Sequence, residues 1–252
     1  PKTPKPHHNG IIIIQIMSEI KDAYMAVPPF TRYFITGVFV MSFGMTYQLI
    51  NPYNMLLDET AIKKFKVWKF VTTFLFAGPF SQSFLFSLVM IYFTLRRAEE
   101  YFKNKNADFA TLILFNMFAV WFYSFIYGNV MVLHNSFVFS LMYVWCKLQP
   151  DMTVSIWGFP VKSANLPWVL LVLSVLTGGD PFKDLIGIAA GHTYIYLKMI
   201  LPISHGYNML KTPKLLEQYI AKLEAWANGG RPPSNVWNLG AGSAGARVNV
   251  NE

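Results

Sequence analysis

Cutting the chain at every Asp, Glu, Lys and Arg leaves three long uncharged stretches that hold four spans. Each such charge at mid-bilayer costs about 2.5 to 3.5 kcal/mol on insertion scales, so uncharged apolar runs of this length predict membrane spans. Residues 33–57 predict the first, ending near Asn51-Pro52, where proline removes a backbone donor and pushes its predecessor out of helical geometry. Residues 70–95 predict the second, starting after Gly78-Pro79. Residues 109–146 are too long for one crossing of about 20 residues, and Gly128-Asn129 reads as a turn between two helices. Two weaker segments follow: 163–179, bounded by Pro160 and Gly178-Gly179, and 181–202, interrupted by Lys183, Asp184 and Lys198. The second carries a Gly187/Gly191/His192 face that suits a helix shielded by neighbours rather than by lipid. The pattern predicts an all-α membrane protein with six transmembrane helices.

The weaker patterns predict surface elements. Residues 11–17 are too short to span and are followed by Glu19, Lys21 and Asp22, which reads as an interfacial helix leading into Pro28-Pro29. The first loop, 51–78, is aromatic and of mixed charge, and is also expected in the interface. Thr212-Pro213 resembles an N-cap followed by proline at the first helical position. After it, Leu215, Leu216, Tyr219, Ile220, Leu223 and Trp226 recur on one face of an amphipathic helix until Gly229-Gly230. The chain thus divides into an N-terminal tail and interfacial segment (1–30), a membrane domain (31–203), an amphipathic surface helix (204–230) and a Gly/Ala/Ser-rich tail (231–252) that has little to build a core from.

Composition agrees with the bilayer as solvent: the chain is 54% hydrophobic and 13% charged, where soluble domains carry about 25% charged residues. The net charge of +8 raises nucleic acid as a partner, but the cations are scattered among apolar runs, so none is expected. They sort by topology instead: with both termini on one side, 16 Lys and Arg lie on that side and 5 on the other, which places both termini in the cytosol. The single cysteine, Cys146, excludes an intramolecular disulfide framework and Cys-ligated zinc or iron clusters. Residues 1–6 alternate lysine and proline and lack the regions of a secretory signal, and the basic, proline-rich residues 1–18 would make a poor amphipathic presequence.

Motifs in order and spacing then carry a resemblance. Val27-Pro-Pro-Phe-Thr-Arg32, the run from Phe65 through Trp68-Lys69 to Gly78-Pro79, Arg97-Ala-Glu-Glu100, Ala107-Asp-Phe109, Tyr143-Val-Trp145, Leu166-Pro-Trp168, Asp184 through Gly187 and Gly191 to His192, and Leu210-Lys-Thr-Pro213 together resemble the Derlins, rhomboid-related proteins of the endoplasmic-reticulum membrane that lack protease activity. The resemblance implies a rhomboid-like six-helix bundle that recruits misfolded proteins and helps them cross toward the ubiquitin and proteasome machinery. It also implies a half-channel formed with a ubiquitin-ligase complex and a locally thinned bilayer. Short or polar spans fit such thinning, because mismatch costs fractions of a kcal/mol per Å.

The family's Trp-Arg pair in the first loop is Trp68-Lys69 here, which keeps the charge and loses the planar fork of arginine. With Gly78 and Pro79 this pair is expected to anchor the loop against lipid or substrate. The family's tail ends in a Gly-rich peptide with Gln-Arg-Leu that binds the cytosolic segregase, an AAA ATPase. Here Trp237, Gly240 and Gly242 remain as candidate docking positions without the Gln-Arg-Leu. These departures motivate a second reading, an accessory or structural subunit of a large organellar membrane complex, such as a respiratory assembly of the mitochondrial inner membrane.

A rhomboid protease needs serine in a Gly-x-Ser-Gly turn on the fourth helix and histidine on the sixth as base. His192 is in place, but the fourth helix reads Leu133-His-Asn-Ser-Phe137 without either glycine, and the rhomboid serine position falls at His134. A Ser136–His192 dyad is therefore disfavoured, and His192 is expected as a packed, hydrogen-bonded remnant. His134 with His192, lacking a carboxylate on the same spans, falls short of a metal site, and no cofactor is implied. The Gly187-x-x-x-Gly191 pattern predicts close approach of a helix from the same bundle. Arg97, Glu99 and Glu100 are candidates for tying the second helix to the first loop. Trp68, Trp145, Trp157 and Trp168 fall at predicted boundaries as interfacial anchors.

Overall fold

The computed structural model describes residues 8–57, 64, 66–103, 105–128, 132–156, 158–206 and 209–227. The N-terminal helix α1 (His8–Ala26) is longer than the 11–17 run suggested, and its residues from Gln15 onward are exposed. It joins α2 (Pro29–Thr46) through Val27-Pro28, with Pro29 at the first helical position, where its missing N–H costs nothing. α2 stops short of the predicted Leu57. Gln48 takes a left-handed turn (φ 58°), and the Ile50 N–H returns to the Gly44 carbonyl at 3.0 Å. Asn51 then caps a single separate turn, α3 (Pro52–Met55), accepting the Tyr53 N–H at 3.0 Å.

The first loop contains a further helix, α4 (Val67–Leu75), so the predicted 70–95 span divides between two elements. The longer helix that follows, α5 (Gln82–Tyr101), is capped by Ser81 and runs past Leu95, taking Arg96, Arg97, Glu99 and Glu100 into its last turns. Those charges did not end the helix because they sit at its edge and find partners there. α6 (Asn106–Tyr127) ends at Gly128, whose φ of 123° suits only glycine, and α7 (His134–Leu148) follows.

The chain is not all-α. Between α7 and the next helix, strands β1 (Thr153–Ile156) and β2 (Phe159–Lys162) form an antiparallel hairpin with Ile156 opposite Phe159 across a two-residue turn. Gly158 in that turn has a φ of 87°, the left-handed geometry such short hairpins require. One 3-10 turn (Ser163–Asn165) leads into α8 (Leu166–Leu176), so the predicted 163–179 span is a helix of only 11 residues. α9 begins at Pro181 under an Asp180 cap and continues through a π turn at Tyr196–Ile200 to His205. α10 (Lys214–Ala227) closes the described chain. Among the described residues two helices, α6 and α9, are long and apolar enough to cross a membrane.

α7 is the centre. Of its 15 residues 11 are buried, and it packs against α4, α5, α6, α8 and α9. Lipid is as apolar as leucine, so cohesion between such helices comes from close packing and hydrogen bonds rather than water exclusion. The structure supplies both. Phe34 and Phe74 pack tilted against the Phe137 ring, and the Tyr123 hydroxyl bonds to Thr193 Oγ1 at 2.9 Å, joining α6 to α9.

Candidate functional site

The closest helix pair is α7 with α9, and glycine is the reason. A Cβ on Gly187 would run into the Ser136 carbonyl oxygen and stand 2.7 Å from Phe139 Cβ; one on Gly191 would stand 2.6 Å from the Ser140 carbonyl oxygen and 3.1 Å from Tyr143 Cβ. Only helices without side chains at these two positions approach this closely.

That contact sets the polar groups around it. The Ser136 hydroxyl donates to the Lys183 carbonyl oxygen at 2.7 Å, and His192 Nδ1 bonds to the Tyr143 hydroxyl at 2.9 Å. Ser136 and His192 are thus each engaged, one near the start of α7 and the other further along α9, and the structure does not bring them together. Tyr143 is buried while His192 is exposed beside it, so the imidazole is presented at the surface of the helix pair and held from behind. His134 is fully buried and bonds through Nδ1 to the Phe74 carbonyl at 2.7 Å, joining α7 to α4, so the two histidines have separate partners. Among the described residues no three His, Cys, Asp or Glu side chains group as metal ligands.

Trp68 and Lys69 both tie α4 to α3. Lys69 is fully buried and its Nζ donates to the Tyr53 carbonyl at 2.7 Å, while half-exposed Trp68 donates its indole N–H to the Asn54 carbonyl at 3.1 Å. The Thr72 hydroxyl adds a bond to the Met55 carbonyl at 2.6 Å. Each acceptor is a carbonyl at the end of a one-turn helix, where no intrahelical donor is available. Gly78 adopts φ 108° before Pro79, turning the chain from α4 into α5. At this end the Phe80 N–H donates to Thr46 Oγ1 at 3.2 Å.

At the opposite end the acidic residues act differently from the expectation. Glu99 reaches not the first loop but the start of α2, accepting from the Phe30 and Thr31 N–H groups and the Thr31 hydroxyl. Glu100 pairs with Arg96 at 2.8 Å on the surface. Arg97 lies 6.0 Å over the Trp145 ring and against Met152 Sδ, so it binds α5 to α7 and to the linker before β1. Asp108, at the start of α6, accepts from Lys198 Nζ at 3.0 Å and from the Thr212 hydroxyl, clipping the linker before α10 to the bundle. Sequence reading missed Tyr143, Tyr53 and the Asp108–Thr212 clip. Their partners are 49, 16 and 104 residues away, distances over which residue spacing gives no signal. Trp157 and the docking positions Trp237, Gly240 and Gly242 lie outside the described residues.

The family profile described as the Der1-like family matches residues 27–214, which takes in the helix pair, the first-loop anchor and the Asp108 clip. The chain belongs to the Der1-like family. Among its relatives, Derlin-2.1 of Arabidopsis thaliana is 32% identical over 215 residues, covering 80% of this chain and 88% of that protein. Derlin-1 of the same plant is 32% identical over 233 residues, 91% of this chain and 86% of the relative. Derlin-2 of Oryza sativa subsp. japonica is 32% identical over 237 residues, 89% and 94% of the two chains. This is a Derlin-family membrane protein, and the glycine-mediated contact and both loop ties fall inside the region shared with the family.

Proposed function

We propose that this chain is a non-catalytic Derlin of the endoplasmic-reticulum membrane that recognises misfolded proteins and assists their retrotranslocation for degradation. In this reading α2, α5, α6, α7, α8 and α9 are six crossings of a rhomboid-like bundle, both termini are cytosolic, and a ubiquitin-ligase complex supplies the rest of the passage. The observation that carries it is the length of α8. Its 11 residues span about 17 Å, little more than half of a hydrocarbon core of about 30 Å. Trp168, Val172, Val175 and Leu176 are exposed along it, an apolar face too short for an unperturbed bilayer. Lipid meeting that face thins locally, which lowers the barrier to a polar passenger.

The non-catalytic part is supported by the separate engagement of Ser136 and His192, which pair with Lys183 and Tyr143 rather than with each other. The test is purification of the tagged protein from its own cells in mild detergent, with mass spectrometry of stoichiometric partners and fluorescence localisation. Recovery of ubiquitin-ligase components from the endoplasmic reticulum is the expected result. Stoichiometric recovery within a bioenergetic complex of the mitochondrial inner membrane would instead make the chain an accessory subunit that retains only the fold, and recovery of the segregase would assign it to the tail.

A further inference from the structure

A cavity of about 360 Å³ opens between the end of α9 and the start of α10, lined by Lys198, Leu210, Lys211, Thr212, Lys214 and Glu217. Its volume is in the range of small-ligand sites. Lys198 is occupied by Asp108 and by the Leu210 carbonyl. Lys211 and Lys214 are exposed and, among the described residues, make no ion pair. Lys103 and Lys105 are exposed at the same end, in the turn before α6. Against these cations stand Glu217 on the rim and Asp108, which Lys198 already neutralises.

A second observation separates a lipid from a free anion. One residue beyond Lys214, Leu215, Tyr219 and Leu223 form an exposed apolar stripe at four-residue spacing, while Leu216 and Ile220 are half-buried on the adjoining face. A helix that presents such a stripe lies in the interface with its apolar residues at acyl-chain depth, and its N-terminus then stands at the level of the phosphates. We propose that the cavity holds the phosphate headgroup of an anionic phospholipid, with Lys211 and Lys214 as its ligands and the Leu215–Tyr219–Leu223 stripe against its acyl chains. Lysine binds phosphate as a point charge, so the site reads headgroup charge rather than headgroup identity. The Asp108–Thr212 clip fixes the loop that carries Lys211 and leads into Lys214 at the start of α10.

The experiment uses the full chain in nanodiscs of phosphatidylcholine with a minor fraction of phosphatidylglycerol, and native mass spectrometry of the lipid retained on release. The protein is expected to retain phosphatidylglycerol in preference to phosphatidylcholine. The K211Q/K214Q variant should retain it more weakly by about fivefold per lysine, roughly 25-fold together. A K64Q/K183Q variant, of equal charge at the opposite end, should match the parent, and millimolar inorganic phosphate should leave the lipid in place. Equal retention by parent and K211Q/K214Q overturns the proposal. So does displacement by inorganic phosphate, which would assign the cavity to a free anion. Because the readout is bound lipid, it is independent of any role in degradation.

Discussion

Glu99 of α5 caps the start of α2 at Thr31. Its carboxylate accepts the Thr31 N–H at 2.8 Å and the Thr31 hydroxyl at 2.7 Å, with the Phe30 N–H at 3.0 Å. The donors include two of the orphan N–H groups at the start of α2, where the helix dipole also favours negative charge. Pro28, the N-cap residue, offers no side-chain acceptor, so a distant residue does the work. Glu99→Ala should therefore cost about 2 to 3 kcal/mol by leaving charge-assisted bonds unmade, and Glu99→Gln less. Thermal unfolding of the detergent-solubilised protein measures this; an unchanged midpoint for Glu99→Ala would show that water caps α2 equally well.

The α7–α9 contact should tolerate no side chain. Gly191→Ala places a methyl 2.6 Å from the Ser140 carbonyl oxygen, and Gly187→Ala places one against backbone and Phe139 Cβ together. Neither obstacle is the free end of a flexible side chain. Overpacking of this kind costs about 1 to 3 kcal/mol, with Gly187→Ala the more severe. Gly37→Ala is the control, since only the Leu75 side chain lies nearby, at 3.5 Å. Folding yields of the three variants should rank Gly37→Ala above Gly191→Ala above Gly187→Ala.

In the first loop, the two anchoring residues should differ in weight. Lys69→Met leaves the Tyr53 carbonyl without its buried ammonium partner, a loss of about 1.5 to 3 kcal/mol, while Trp68→Phe removes one half-exposed bond worth about 0.5 to 1.5 kcal/mol. Hydrogen exchange should show α3 and α4 loosening in Lys69→Met with little change in α6. Equal exchange in the two variants would mean that Thr72 and the ring of Trp68 hold the loop without the lysine.

Much of this architecture was legible from residues alone, because charge-free runs and Gly/Pro punctuation report on lipid exposure and turns. The positions of α6, α7 and α9 follow from that logic, as does the glycine face of α9. The hairpin did not. Thr153 to Lys162 holds only four residues per strand, and its alternation is faint between two strongly apolar segments; the left-handed Gly158 was its one local signal. Charge as a boundary ends α5 at Leu95, whereas Glu99 and Arg97 extend the helix by finding their partners on other elements. Contacts between residues such as Asp108 and Thr212 exist only once the bundle has formed.

Ser136 should be chemically silent. Its hydroxyl is donated to the Lys183 carbonyl, and His192 is bonded to Tyr143 instead. A fluorophosphonate probe, which phosphonylates activated serines with loss of fluoride, should leave the purified protein unlabelled, and Ser136→Ala should cost only the bond to Lys183, about 1 kcal/mol. Labelling that disappears in Ser136→Ala would mean that the helix pair rearranges to assemble a dyad.

The proposed non-catalytic passage of misfolded proteins across a thinned bilayer would show in the half-life of a misfolded lumenal reporter. It is measured by pulse-chase in cells lacking the chain and in cells re-expressing either the parent or Ser136→Ala. Loss of the chain should lengthen the half-life severalfold, and both versions should restore it equally. A half-life that does not change on removing the chain would contradict the account, as would rescue by the parent but not by Ser136→Ala.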